Sequence, residues 1–152
     1  MPQTKYIRWV PAPQTIKRID KIHTFLYAWT WGIVGGRLDG LDILLLTTTG
    51  KKTGRARRVA LPFFRDGERY LLVASFGGNP KNPAWFSNLV ADPRVQVQHG
   101  RQRWSARAEV PEGAERERLW AAITREFPRY AAYETKTPRQ IPVVVLSAPT
   151  RA

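Results

Sequence analysis

The residues best suited to chemistry in this chain are the cations of one short stretch, Gly50-Lys51-Lys52-Thr53-Gly54-Arg55-Ala56-Arg57-Arg58. Two glycines bracket Lys51, Lys52 and Thr53, and three arginines follow with no acid among them. A tight Gly-x-x-x-Gly turn points successive backbone N–H groups inward, and the threonine hydroxyl and lysine ammonium add donors of their own. Such a turn suits a phosphate or another compact anion. The same residues also make a solvated hairpin turn whose lysines keep a sheet edge soluble. On the residues alone both readings stand. A nucleotide P-loop is excluded, because no glycine precedes at the Walker spacing and nothing places a helix after the loop.

Elsewhere the sequence offers no catalytic triad, no paired-carboxylate site and no metal cluster. The two histidines, His23 and His99, lie far apart without a carboxylate pair nearby, which argues against zinc. With no cysteine there is no disulfide framework and no thiolate metal site, and a cytoplasmic origin fits. The net charge of +13 implies attraction to something anionic: nucleic acid, an acidic membrane surface or a multiply charged small molecule. A length of 152 residues is enough for one domain with a sizeable core.

The elements that must position the loop follow from hydrophobic patterning. Residues 1–13 read as a flexible arm without the pattern of a signal peptide. From Gln14, Ile16, Ile19, Leu26 and Trp29 fall on one side of a helix and Lys17, Arg18 and Lys21 on another. That amphipathic helix covers one open end of the fold or, alternatively, lies on a membrane surface with Tyr27, Trp29 and Trp31 at the interface. Strands are expected from Leu41 to Thr49, Arg57 to Arg65, Glu68 to Phe76, Val95 to Gln98, Gln102 to Glu109 and Ile141 to Leu146. Asp66-Gly67 marks a tight hairpin turn, and Pro62 marks an edge or bulge where a sheet curls. Asn82 is expected to cap a helix with Pro83 at its first position, ending near Ala91, and a second helix covers Pro111 to Phe127. About six antiparallel strands with a few flanking helices make an α+β protein of mainly β character, a small barrel in one domain over residues 14–152.

Several motifs occur in a fixed order: Leu44-Leu45-Leu46-Thr47-Thr48-Thr49-Gly50-Lys51-Lys52-Thr53-Gly54-Arg55, then Arg65-Asp66-Gly67, Val73-Ala74-Ser75-Phe76-Gly77-Gly78 and Asn82-Pro83-Ala84-Trp85-Phe86-Ser87-Asn88-Leu89. In this order and spacing, from about Leu38 to Leu146, the chain resembles the deazaflavin (F420)-dependent nitroreductase family. The resemblance implies a split β-barrel that binds reduced coenzyme F420, whose phosphate and polyglutamate tail account for the basic charge. It departs at Phe76, where the family is more often polar, and at Asn82, where histidine is frequent.

The resemblance then assigns the parts. Lys51, Lys52, Thr53, Arg57 and Arg58 face the phosphate and acidic tail. The backbones of Val59, Ala60, Leu61 and of Val73, Ala74, Ser75, Phe76 edge the flat heterocycle. The helix start at Ala84, with Trp85, Phe86, Ser87 and Asn88, forms a further wall. Tyr130 and Tyr133 are one helical turn apart and Phe127 another turn back, so the three share a face; by resemblance they form a lid. Tyr130 lies near the cofactor, and Tyr133 or Ser75 donates a hydrogen bond to the acceptor. The expected function is hydride transfer from reduced F420 to an electron-poor small molecule such as a quinone or nitroaromatic. Two alternatives remain: an FMN-dependent enzyme on the same kind of barrel, and a basic nucleic-acid-binding module.

Overall fold

In a computed structural model, residues 37, 38 and 41–150 are described. The expected arm over residues 1–13, the amphipathic helix after it and His23 lie outside the described residues. A two-residue strand, β1 (Arg37–Leu38), precedes β2 (Leu41–Thr49), which has the bounds the sequence predicts. β2 is buried on both faces. Leu44 and Leu46 enter the main core, while Ile43 and Leu45 join Ala60 in a separate cluster, as period-two alternation requires.

β3 (Ala56–Pro62) returns antiparallel, pairing Leu46 with Val59 and Leu44 with Leu61. The single strand expected from Arg57 to Arg65 is divided at Phe63. Pro62 has no N–H for a ladder, and the Phe63 amide turns to the Asp42 carbonyl at 3.1 Å. The chain resumes as β4 (Phe64–Asp66) in a different sheet, so the proline marks the corner between sheets. A turn with Gly67 at φ 61° leads into β5 (Arg69–Val73). That strand stops three residues earlier than expected, because the chain after Ala74 enters a left-handed turn.

The next helix, α1 (Ala84–Ala91), starts one residue later than expected. The Pro83 carbonyl accepts the first helical bonds from Phe86 and Ser87 N–H at 3.1 and 3.3 Å. Pro83 is therefore the cap residue, and Asn82 makes no capping bond. β6 (Arg94–His99) and β7 (Gln102–Arg107) form a hairpin in which Trp104 and Ala106 face the core and Arg103, Ser105 and Arg107 face solvent, as predicted. Then come α2 (Gly113–Glu126), the short α3 (Arg129–Glu134) and β8 (Val143–Leu146).

One sheet has the order β1-β2-β6-β7, with β3 on the other edge of β2; the second has the order β4-β5-β8. Every pairing is antiparallel. The sheets join at the Phe63 corner and at a bridge between Glu109 and Val145, with N···O distances of 3.0 and 2.8 Å. Between them lies a core of Leu44, Leu46, Tyr70, Leu72, Val97, Trp104 and Val144, closed on one side by Trp85, Phe86 and Leu89 of α1. The reverse face of β4-β5-β8 packs against Leu119, Trp120 and Ile123 of α2 and Tyr130 of α3. Arg69 and Arg118 each pair with both Asp66 and Glu115, fastening α2 to the β4–β5 turn. The six expected strands become eight because one is divided and β1 precedes the set.

Candidate active site

The basic loop is a closed structure held from within and from α1. The Gly50 amide donates to the Arg55 carbonyl at 2.7 Å, and the Gly54 amide to the Gly50 carbonyl at 2.8 Å. A Cβ on Gly50 would stand 2.8 Å from Thr53 Oγ1 and 3.1 Å from the Arg55 carbonyl, so a larger residue there would displace the threonine hydroxyl. Thr53 Oγ1 accepts from the Arg55 amide at 3.3 Å and from Arg57 Nη2 at 3.5 Å. With both lone pairs engaged, the hydroxyl proton is left to donate outward. Asn88 supplies the anchor: its Oδ1 accepts from the Lys51 amide at 3.0 Å, and its Nδ2 donates to Thr48 Oγ1 at 3.2 Å. Asn88 is buried, and its bond to Thr48 is sheltered from water, while the bond from Lys51 is partly so.

The loop opens onto a cavity of about 770 Å³. Among the described residues its walls are Ile43 and Thr48 of β2, residues 50–53 of the loop, residues 57–62 of β3, Val73, Ser75, Phe76, then Pro83, Ala84, Trp85, Ser87 and Asn88, and Tyr130. Six successive residues of one strand cannot all line a cavity through one face of a sheet. Among the described residues β3 pairs with β2 alone, so the cavity runs along the second edge of β3. Lys51, Lys52, Arg57 and Arg58 thus share a wall with Val59, Leu61, Val73 and Trp85, and no carboxylate is among the lining residues.

Sixteen predicted site residues meet here: Lys51, Lys52, Thr53, Arg57, Arg58, Val59, Ala60, Leu61, Val73, Ser75, Phe76, Ala84, Trp85, Ser87, Asn88 and Tyr130. Three do not reach the cavity. Ala74 and Phe86 point into the main core. Tyr133 packs on the α2 side, with its ring edge-on to Tyr130 at 5.6 Å and Lys136 Nζ 5.6 Å from its centroid. Phe127, Tyr130 and Tyr133 do share one cluster, through Phe64, which contacts Phe127 at 5.2 Å and Tyr130 at 5.3 Å. Burial raises the Tyr130 phenol to about 12, so it stays protonated through neutral pH.

Sequence reasoning missed Thr48, Ile43, Pro62 and Pro83. For Thr48 a signal existed, since it falls on the inward face of β2 with Leu44 and Leu46. The turn after β5 is the strained part of the wall. Phe76 has φ 46°, the one non-glycine residue at positive φ among those described, followed by Gly77 and Gly78 at 62° and 81°. A left-handed non-glycine residue costs roughly 1–2 kcal/mol, and such strain concentrates at ligand sites.

A phosphate fits the cationic loop, and a flat heterocycle fits the apolar edge of β3. The volume lies within the range of cofactor pockets.

Known proteins are similar to this chain over most of its length. The family model described as F420H(2)-dependent quinone reductase matches residues 19–148. An F420H(2)-dependent quinone reductase of Mycobacterium tuberculosis (strain ATCC 25618 / H37Rv) is 38% identical over 144 residues, 92% of this chain and 96% of that protein. A solved structure described as an F420-H2 dependent reductase (FDR-A) is similar with a TM-score of 0.63 at 43% identity, covering 69% of this chain and 93% of the other. Another, described as a domain-swapped dimer, gives a TM-score of 0.66 at 38% identity and covers 90% of this chain and 100% of the other. The fold is therefore a split β-barrel, and the chain belongs to the F420H(2)-dependent quinone reductase family.

Proposed function

We propose that the 770 Å³ cavity is where this F420H2-dependent oxidoreductase receives both its cofactor and its quinone. One observation carries the assignment of residues. Lys51, Lys52, Arg57 and Arg58 and the apolar edge of β3 line the same cavity, which has no lining carboxylate among the described residues. Lys52, Thr53 and Arg57 hold the phosphate, with Lys51 and Arg58 placed for the acidic tail. The backbone of residues 59–61, and that of Ser75 and Phe76, orients the ring edge. Trp85, Leu61 and Val73 exclude water around it. When bound, reduced F420 supplies the hydride, and the protein holds the acceptor in line and keeps a hydrogen-bond donor beside it. Tyr130 is that donor: a neutral phenol facing the oxygen that gains charge as the quinone accepts hydride.

Quinones partition into lipid. We extend the proposal to peripheral contact with the cytoplasmic membrane face through residues 14–34. Its support is the aromatic and basic patterning of that segment and the net charge of +13. Among the described residues no helix is long and apolar enough to cross a membrane.

Fluorescence titration of the purified protein tests the cofactor assignment. Micromolar binding of F420, with FMN much weaker, is the expected result. Equal or tighter FMN binding would sink it, and tight salt-sensitive binding of single-stranded nucleic acid without flavin-type binding would replace it.

A further inference from the structure

The left-handed turn over residues 75–79 forms part of the cavity wall, yet its own hydrogen bonds are few. The Gly78 amide donates to the Ser75 carbonyl at 2.9 Å, and the Asn79 amide to the Phe76 carbonyl at 3.1 Å. Gly78 is pressed against α3, since a Cβ there would lie 2.9 Å from both the Tyr133 carbonyl and Lys136 Cβ. The remaining support comes from one distant side chain. Arg139 Nη2 donates to the Ala74 carbonyl at 3.1 Å and the Ser75 carbonyl at 2.9 Å, and its Nε donates to the Asn79 carbonyl at 2.9 Å. These acceptors stand at the two ends of the turn, so a planar fork spans it and fixes the separation of its ends. Nη1 is buried and has no partner, and burial lowers the guanidinium pKa. The side chain as a whole is part-buried, and an unpaired buried nitrogen on it calls for an explanation.

We propose that Arg139 is a positioning residue. By bridging the carbonyls of Ala74, Ser75 and Asn79 it holds Phe76 in its left-handed conformation and so sets the cavity wall that Ser75 and Phe76 form. Arg139 is not itself among the lining residues. It acts through the turn, and its effect on cofactor binding rests on the cavity assignment made above. A lysine cannot replace it, because an ammonium on a flexible stem presents no fixed fork to the two ends.

A double-mutant cycle between Arg139→Ala and Phe76→Gly decides the matter, read in two independent quantities. One is amide hydrogen exchange at Gly78 and Asn79 relative to the core amides of Leu72 and Val144. The other is F420 affinity. Arg139→Ala is expected to speed exchange at the two turn amides about tenfold and to weaken F420 about tenfold, roughly 1.4 kcal/mol in each case. In the Phe76→Gly background the same substitution is expected to change either quantity less than about threefold, because glycine holds positive φ without strain. Arg139→Lys should fall between, and it carries the cycle if Arg139→Ala does not fold. Equal effects of Arg139 loss in both backgrounds, or unchanged exchange in the wild-type background, would overturn the proposal. Failure of the wild-type protein to bind F420 would instead overturn the functional assignment, and the exchange measurements would still decide the role of Arg139.

Discussion

Tyr130, the hydrogen-bond donor we propose, owes its protonation state to its surroundings. It is 5% exposed, edge-on to Phe64 and Tyr133, and desolvation is the main cause of a phenol pKa near 12. Its folded pKa lies above the unfolded value of about 10. The associated stability is therefore complete below pH 10 and is lost as pH rises toward 12. Denaturant unfolding at pH 9 and pH 11 should show this loss, and Tyr130→Phe should lessen it. The same substitution should lower kcat/KM for a quinone by about ten- to a hundredfold, the scale of one transition-state hydrogen bond. F420 affinity should stay within about threefold. Tyr133→Phe should leave turnover within about threefold, because its ring packs on Tyr130 and Lys136 away from the cavity. A larger effect from Tyr133→Phe than from Tyr130→Phe would reverse this assignment. The i, i+3 spacing put both tyrosines on one face. It did not say which of them meets the cavity, because that depends on how α3 seats against Phe64 and Gly78.

At the scale of elements, the loop between β2 and β3 separates charge from geometry. Lys52 is exposed, whereas Asn88 is buried and joins α1 to both the Lys51 amide and Thr48. Lys52→Ala should weaken F420 binding by about ten- to a hundredfold, the scale of a charge-assisted hydrogen bond, with the melting temperature unchanged. Asn88→Ala should weaken binding and also cost about 1–3 kcal/mol of stability, since two polar groups lose their partners. Titration and thermal melts on the two variants distinguish these outcomes; equal stability losses would dismiss the anchor. Most strands were legible in the sequence because alternation and turn residues are local signals, as in Leu41–Thr49 and at Asp66-Gly67. So was the composition of the loop. The division at Phe63 was half visible in Pro62, but the Asp42 carbonyl that redirects the Phe63 amide is a tertiary contact. Arg139 was invisible for the same reason, since its carbonyl partners lie 60 to 65 residues away.

At the scale of the whole molecule, 25 basic against 12 acidic residues give a field that no single pair explains. Several of the acids are already spent: Asp66 and Glu115 on Arg69 and Arg118, and Asp92 on Arg94. The cavity mouth keeps Lys51, Lys52, Arg57 and Arg58 without a lining carboxylate. A polyanionic cofactor approaching such a surface is steered, and steering acts on the association rate. Between about 0.01 and 0.15 M ionic strength the Debye length contracts from about 30 to 8 Å, so charges beyond the first contact stop contributing. Stopped-flow binding of full-length F420 should therefore slow by about tenfold or more over that range, with dissociation changing far less. A deazaflavin fragment lacking phosphate and tail has nothing for the field to act on, and its association rate should change by less than about twofold. Equal salt slopes for the two ligands would mean that the basic charge serves some other anion, and that the cavity captures its cofactor through the β3 edge alone.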